Sequence, residues 1–123
     1  MRAHADELTV LMQDGAGGSL RSTDWDGMAA NINRLAPGTD FGPILAQVPG
    51  GDCPVPHWGY LIEGSITVHY SNGEQETVEA GQVFYLPAHH DSVSTSTGAL
   101  YAEFSPAGAA RDLLAEVARV TSS

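Results

Sequence analysis

The side chains in this sequence that could do chemistry gather in two short segments. The first is Cys53-Pro-Val-Pro-His57-Trp-Gly-Tyr-Leu-Ile-Glu-Gly64, in which the only cysteine stands four residues before a histidine. The second is Gly81-Gln-Val-Phe-Tyr-Leu-Pro87-Ala-His89-His90, with two histidines just past an apolar run. Thiolate and neutral imidazole are transition-metal ligands, so two segments delivering them to one place would make a metal site. Residues 53 and 57 share parity on an extended chain, and both side chains then point to one face. A straight strand would still hold them about 13 Å apart at about 3.3 Å per residue, too far for a single ion. The chain must bend between them. Pro54 and Pro56, which fix φ and push the preceding residue out of the helical region, suit a corner.

Ligand softness narrows the metal. Cys53, His57 and His90 together favour zinc and leave a fourth position open for water or substrate. If Cys53 only packs, as cysteine often does, then His57, His90 and Glu103 form a two-histidine, one-carboxylate set suited to Fe(II) or Mn(II). Glu103, mid-strand in Tyr101-Ala-Glu-Phe104, is the candidate inward carboxylate, acting as ligand or as acid–base group. Adjacent residues rarely aim at one point, so one of His89 and His90 faces the site, His90 by preference, while the other hydrogen-bonds in the loop. His69 stands opposite Glu76 across Asn72-Gly73 as an exposed cross-strand pair. Glu63 and His4 are assigned to solvent, and Trp58, Tyr60, Phe84 and Tyr85 to the core.

The elements that must position these groups are mostly strands. Leu8 to Met12 fits a short edge strand, and residues 13–19 are glycine-rich enough for a loop. That loop is no phosphate cradle, because no Lys-Ser/Thr follows it. Trp25 to Leu35 alternates as one strand, and Pro37-Gly38 turns the chain. Tyr60-Leu61-Ile62 has the form of a buried strand closed by Gly64. Ser65 to Tyr70 places Ile66, Val68 and Tyr70 on one face, and Asn72-Gly73 is a strong hairpin signal because both positions tolerate positive φ. Gln75 to Glu79 returns antiparallel, Val83 to Leu86 follows, and beyond a polar loop Ala99 to Phe104 is another strand. Ser105-Pro106 then starts a helix whose apolar stripe is Leu113, Leu114, Val117 and Val120. Strands every ten residues or so, punctuated by Gly and Pro, predict a small all-β barrel or sandwich with a C-terminal α-helix packed against its outside.

Composition sets bounds. A chain of 123 residues predicts a single domain with one core. One cysteine forms no internal disulfide. No run approaches the apolar length of a membrane span and the N-terminus lacks the apolar core of a signal peptide, so the expected location is the cytoplasm. Fifteen acidic against five basic residues give a net charge of −10, which repels phosphate backbones and anionic lipid. Neither nucleic acid nor membrane is an expected partner.

Over residues 28–106 the two segments resemble the paired motifs of the cupin superfamily. Those motifs run Gly-x5-His-x-His-x3/4-Glu-x6-Gly and Gly-x5-Pro-x-Gly-x2-His-x3-Asn. The second begins in pattern with Gly81 and Pro87. It then departs, with His89 in the glycine slot, Ser92 in the histidine slot and His90 two positions early. The first can be laid down from Gly51, which makes His57 the first histidine and Gly59 the second. Anchored on Gly64 instead, it puts His57 in the glutamate slot and Cys53 in the second histidine slot. The second alignment is preferred. A subset of small bacterial cupins carries a similar Cys-x-x-x-His-Trp-Gly-Tyr segment. The resemblance implies a small cupin-type β-barrel (double-stranded β-helix, or jelly roll) with ligands that straddle a turn and converge inside. It also implies a homodimer, for which the early strands could supply the interface.

The expected function is that of a small metal-dependent cupin acting on a small organic molecule in the barrel mouth. Cys53, His57 and His90 would be ligands and Glu103 the acid–base group. The chemistry would be Lewis-acid lyase, isomerase or hydratase work with zinc, or dioxygenase chemistry with Fe(II). Two other readings stand beside it: a binding or sensor module without turnover, and a dimerisation scaffold with a vestigial site.

Overall fold

The computed structural model describes residues 1–122. After a short 3-10 turn the chain forms β1 (Thr9–Gln13), β2 (Ser19–Trp25) and β3 (Met28–Leu35), then a one-turn α1 (Gly42–Leu45). The second half holds β4 (His57–His69), β5 (Gln75–Glu79), β6 (Val83–Leu86), β7 (Ser92–Ser94), β8 (Ala99–Pro106) and α2 (Ala107–Thr121). All strand pairs are antiparallel. The order is β1-β2-β3-β8-β4-β5, with β6 and β7 also pairing to β4. The result is a curled sheet closed over a core of Leu35, Leu61, Ile66, Val68, Leu86 and Tyr101, among others. No helix among the described residues is long and apolar enough to cross a membrane.

β4 is the long strand that makes the curl. Its first half pairs with β6 on one edge and β8 on the other, and its second half with β5 and β7. The change of direction falls over Ile62 to Gly64, where the ladder to β8 skips Ile62 between Leu61 and Glu63 and Gly64 takes φ +74°. A Cβ there would run into the Gly98 carbonyl, so glycine is needed for space as well as for conformation.

Several expectations need correcting. Trp25 to Leu35 is not one strand but the turn and second arm of a hairpin. Asp26 (φ +54°) and Gly27 (φ +83°) form its two-residue turn, and β2, which the sequence pattern does not announce, lies before them. The polar stretch after Pro87 contains β7. Ser105 finishes β8, continuing the inward alternation of Tyr101 and Glu103 and fully buried, and Pro106 is both the last residue of that strand and the N-cap of α2, so the helix starts at Ala107, one residue later than expected. α2 does not lie on the outside of the barrel. Its Leu113, Leu114 and Val117 line an internal cavity, and Val117 packs with Leu45, Val48, Cys53 and Val55 as a lid over one opening.

The aromatic residues also divide differently. On β4 the inward side chains are His57 and Leu61, so Trp58, Tyr60 and Ile62 face out; on β6 Phe84 and Leu86 are inward and Val83 and Tyr85 outward. Only Phe84 of the four aromatics is core. Trp58 stacks on Tyr85 across the ladder, with ring centroids 5.3 Å apart. His69 pairs in register with Gln75, not Glu76, and its Nε2 lies 2.8 Å from Ser94 Oγ. Glu76 instead accepts from the Tyr70 hydroxyl at 2.9 Å.

The Gly64 constraint is testable against Gly73, which also has positive φ but open space around its Cβ position. Gly64→Ala is expected to cost more than ~3 kcal/mol and Gly73→Ala about 1 kcal/mol, read from urea-denaturation midpoints. Equal costs would mean that the carbonyl contact does not matter.

Candidate metal centre

Cys53 and His90 are brought together by backbone before any side chain acts. Cys53 N donates to His90 O at 3.0 Å and His89 N donates to Cys53 O at 2.8 Å, an isolated antiparallel bridge outside the main strands. This bridge turns the segment before β4 inward, and Pro54 and Pro56 carry the chain around to His57 at the first position of β4. The corner expected from the two prolines is therefore present. The two candidate ligands meet there, with Cys53 Sγ 3.6 Å from His57 Nε2.

One donor atom each from Cys53, His57 and His90 lies within 4.8 Å of the others. The two rings meet edge to face with centroids 5.4 Å apart. Zinc bonds of about 2.3 Å to sulfur and about 2.0 Å to nitrogen, at the tetrahedral angle, set the two ligand atoms about 3.6 Å apart. The Cys53–His57 distance fits that edge. The remaining ring nitrogens are occupied: His90 Nδ1 donates to Pro87 O at 2.8 Å, and His57 Nδ1 lies 2.6 Å from Ser105 Oγ and 3.6 Å from Glu103 Oε2. Pinning Nδ1 leaves Nε2 with its lone pair for a metal and fixes the ring plane, as in histidine–metal sites generally. The donor set can hold a divalent metal ion.

Electrostatics follow burial. Cys53 is 4 % exposed, and loss of solvent, helped by the negative charge of Glu103 and Asp52, pushes its thiol up to about 12. His90 is 2 % exposed, and burial, with His57 nearby, lowers it so that the ring stays neutral. The metal-free thiol is therefore protonated at neutral pH and placed to donate to the Val55 carbonyl at 3.7 Å.

Glu103 faces inward as expected, and its Cα partner across the ladder is Asn31. Its Oε1 accepts from Asn33 Nδ2 at 2.8 Å and its Oε2 is turned to His57, so the carboxylate stands behind that ring. His89 faces out, with its side chain 66 % exposed and Nδ1 3.0 Å from Asp52 Oδ1. Its φ of +68° is left-handed. This is the residue in the motif's glycine slot, and the backbone there has kept the conformation that glycine would supply. The same twist lets adjacent histidines point apart. In the alternative alignment the second histidine slot is Gly59, which offers no donor; the Phe84 ring fills the space beside it.

Asn33 and Ser105 were not singled out from sequence. Their signal was parity with Glu103 on neighbouring inward faces, and it became usable only once β3 was known to pair with β8.

Next to the donors lies a cavity of about 160 Å³, walled by β2, β3 and β8 on one side and by α1 and α2 on the other. Cys53, His57, His90 and Glu103 are all on its lining.

No protein-family model matches the chain, and no curated relative does. Solved structures do. An RmlC-like cupin from Shewanella frigidimarina NCIMB 400 superposes with a TM-score of 0.59 at 17 % identity, covering 85 % of this chain and 88 % of that one. A protein of unknown function from Rhizobium leguminosarum bv. viciae 3841 gives 0.55 at 23 % identity, covering 75 % and 82 %. Oxalate decarboxylase of Bacillus subtilis, a protein with Mn(II) centres, gives 0.59 at 18 % identity, covering 83 % of this chain but 28 % of its own length. These likenesses establish the fold.

The two histidines separate cleanly by experiment. His90→Ala should abolish metal retention by the purified protein, measured by elemental analysis, whereas His89→Ala should leave it unchanged. His89→Gly should also raise the unfolding midpoint, by relieving about 1 kcal/mol of left-handed strain.

Proposed function

Taking the cupin fold as the premise, we propose that this protein binds zinc through Cys53, His57 and His90 and acts on a small organic molecule held in the adjoining cavity. One observation carries the reading: three donors from two distant segments converge while the other nitrogen of each imidazole is already hydrogen-bonded. A buried thiol beside two rings with no such second layer would be packing; here the outer partners are built. The thiolate favours zinc over Fe(II) or Mn(II).

When bound, the ion supplies Lewis-acid activation of an oxygen atom on its open side. The protein's own residues do the rest. Asn33 holds the Glu103 carboxylate at Oε1, which leaves Oε2 to take or return a proton at the cavity wall beside His57 Nδ1. Ser105 Oγ keeps the His57 ring in plane. Val117 and Leu113 of α2, with Leu45 of α1, keep water from the inner end. A binding module without turnover would need the same donors but not Glu103.

Zinc analysis of purified protein tests the site. Retention near one ion per chain, lost in Cys53→Ala and in His57→Ala, is the expected outcome; full occupancy in either variant removes that residue from the set. With a thiol near 12 and His90 already neutral, binding displaces one proton, from Cys53. Zinc affinity should therefore rise about tenfold per pH unit between pH 7 and 9, measured by competition with a chromogenic chelator. A flat profile would take the thiol out of the coordination sphere. Glu103→Gln separates enzyme from binder: it should retain zinc and lose turnover of whichever small carbonyl or hydroxy compound the protein converts.

We further propose a homodimer formed through the outer face of β6, β4, β8 and β3. Val83 (80 % exposed), Tyr85, Trp58, Tyr60, Phe104 and Met28 form a strip there without a charged residue. At typical aromatic side-chain areas the strip exposes on the order of 700 Å², above what monomers usually leave open and close to one partner's share of a standard interface. Tyr85→Glu with Val83→Glu should convert a dimer to a monomer in sedimentation velocity while leaving zinc content intact.

A further inference from the structure

The cavity beside the donors carries information about what can enter it. Its volume, about 160 Å³, is close to that of an aliphatic-lined cavity of about 150 Å³ that holds one benzene. Most of the wall is hydrocarbon, contributed by Leu20, Phe41, Val55, Ile66, Leu113 and Leu114. The polar groups at the donor end are already engaged with each other or with backbone: Asn33 with Glu103, Ser105 with His57, and His90 with Pro87; Ser22 and Asn31, paired across β2 and β3, are the other small polar side chains on the lining. Among the described residues, no buried side-chain nitrogen or oxygen lacks a partner.

Charge points the same way. The sequence has five arginines and no lysine. Arg21 is the only one on the cavity lining, and its guanidinium donates to the Asp6 carbonyl at 3.3 Å. Arg111 and Arg119 are committed to Asp24 and Glu116 on the surface. A carboxylate at the donor end of the cavity would meet Glu103, while the one arginine on the lining turns its guanidinium to the Asp6 carbonyl. A divalent ion on Cys53 has its two charges offset by that thiolate and the Glu103 carboxylate, so little positive charge remains for an anion. Desolvating a carboxylate against such a wall costs several kcal/mol that nothing here returns.

We infer that the cavity takes an uncharged, largely apolar molecule of about one ring in size, whose single hydroxyl or carbonyl oxygen faces Cys53, His57 and His90, and that it excludes carboxylates. The oxygen's role rests on the zinc reading above; the size and polarity of the occupant do not. Leu11 of β1, 47 % exposed, and Leu114 of α2 both line the cavity, so its more exposed part is apolar as well.

The test titrates metal-free and zinc-loaded protein with toluene, benzyl alcohol, benzoate and oxalate, followed by calorimetry and by shifts of methyl NMR resonances. Toluene is expected to bind both forms equally. Benzyl alcohol should bind the zinc form about tenfold more tightly than the metal-free form, one oxygen contact's worth. Benzoate and oxalate should bind either form at least about tenfold more weakly than benzyl alcohol. Ala110→Phe, placed on the half-buried side of α2 facing the cavity, should abolish toluene binding and keep zinc. Tighter binding of benzoate or oxalate than of benzyl alcohol, or no binding of toluene by the metal-free wild-type protein, overturns the inference. If zinc does not bind but toluene does, the metal reading falls and the cavity's selectivity for uncharged apolar molecules stands.

Discussion

Everything in the site depends on the pair of backbone hydrogen bonds between Cys53 and the His89–His90 segment. They join two stretches far apart in sequence and set the sulfur beside the second imidazole without asking either side chain to do the work. A metal site in a chain this acidic could be assembled by the ion itself, drawing mobile ligands inward. Here the donors are positioned by the fold, so the ordering entropy is met by folding and not by binding. The hydrogen bonds of Pro87, Ser105, Glu103 and Asn33 extend the same logic outward, each removing a rotation that a ligand would otherwise have to give up.

The curl of β4 divides the molecule into two surfaces of unlike chemistry. Inside its first half are His57, the backbone of Gly59, and Leu61; outside are Trp58, Tyr60 and Ile62. Both faces are apolar enough to be buried, which is unusual for an antiparallel sheet with one face in water. The lid formed by α1 and α2 resolves the inner face, since Leu45, Val48 and Val117 close over Cys53 and Val55. The outer face has no such cover among the described residues.

How much of this could be read from residues alone varied with the range of the interaction. Gly64, Asn72-Gly73, Gly81 and Pro87 announce their turns because the conformational demand and the residue that meets it are the same few atoms, and the strands between them follow. The approach of Cys53 to His57 was legible for the same reason: two prolines and a shared parity are local facts. Asp26-Gly27 is an equally local turn, hidden because the residues on both sides of it alternate smoothly enough to pass for one strand. The orientation of Trp58, Tyr60 and Tyr85 was not available, since parity says which residues share a face but not which face is in. The inward pair of Asn33 and Glu103, and α2 as a lid, depend on contacts across some seventy residues that no window along the chain contains. His89 is instructive in the other direction. Its place in the glycine slot looked like a departure from pattern, yet the backbone conformation survived the loss of glycine.

The seam between β3 and β8 pairs Met28 through Leu35 with Ala99 through Pro106. Those partners leave the ribosome far apart in time, and β4 cannot find its second neighbour until the later one has emerged. The β1–β2–β3 meander must therefore wait with one edge unpaired and its inward asparagines wet. During synthesis the vulnerable species is this half-sheet. Residues 9–35 carry three acidic and two basic side chains, so charge repulsion does little there to keep neighbouring copies from completing the edge in place of β8.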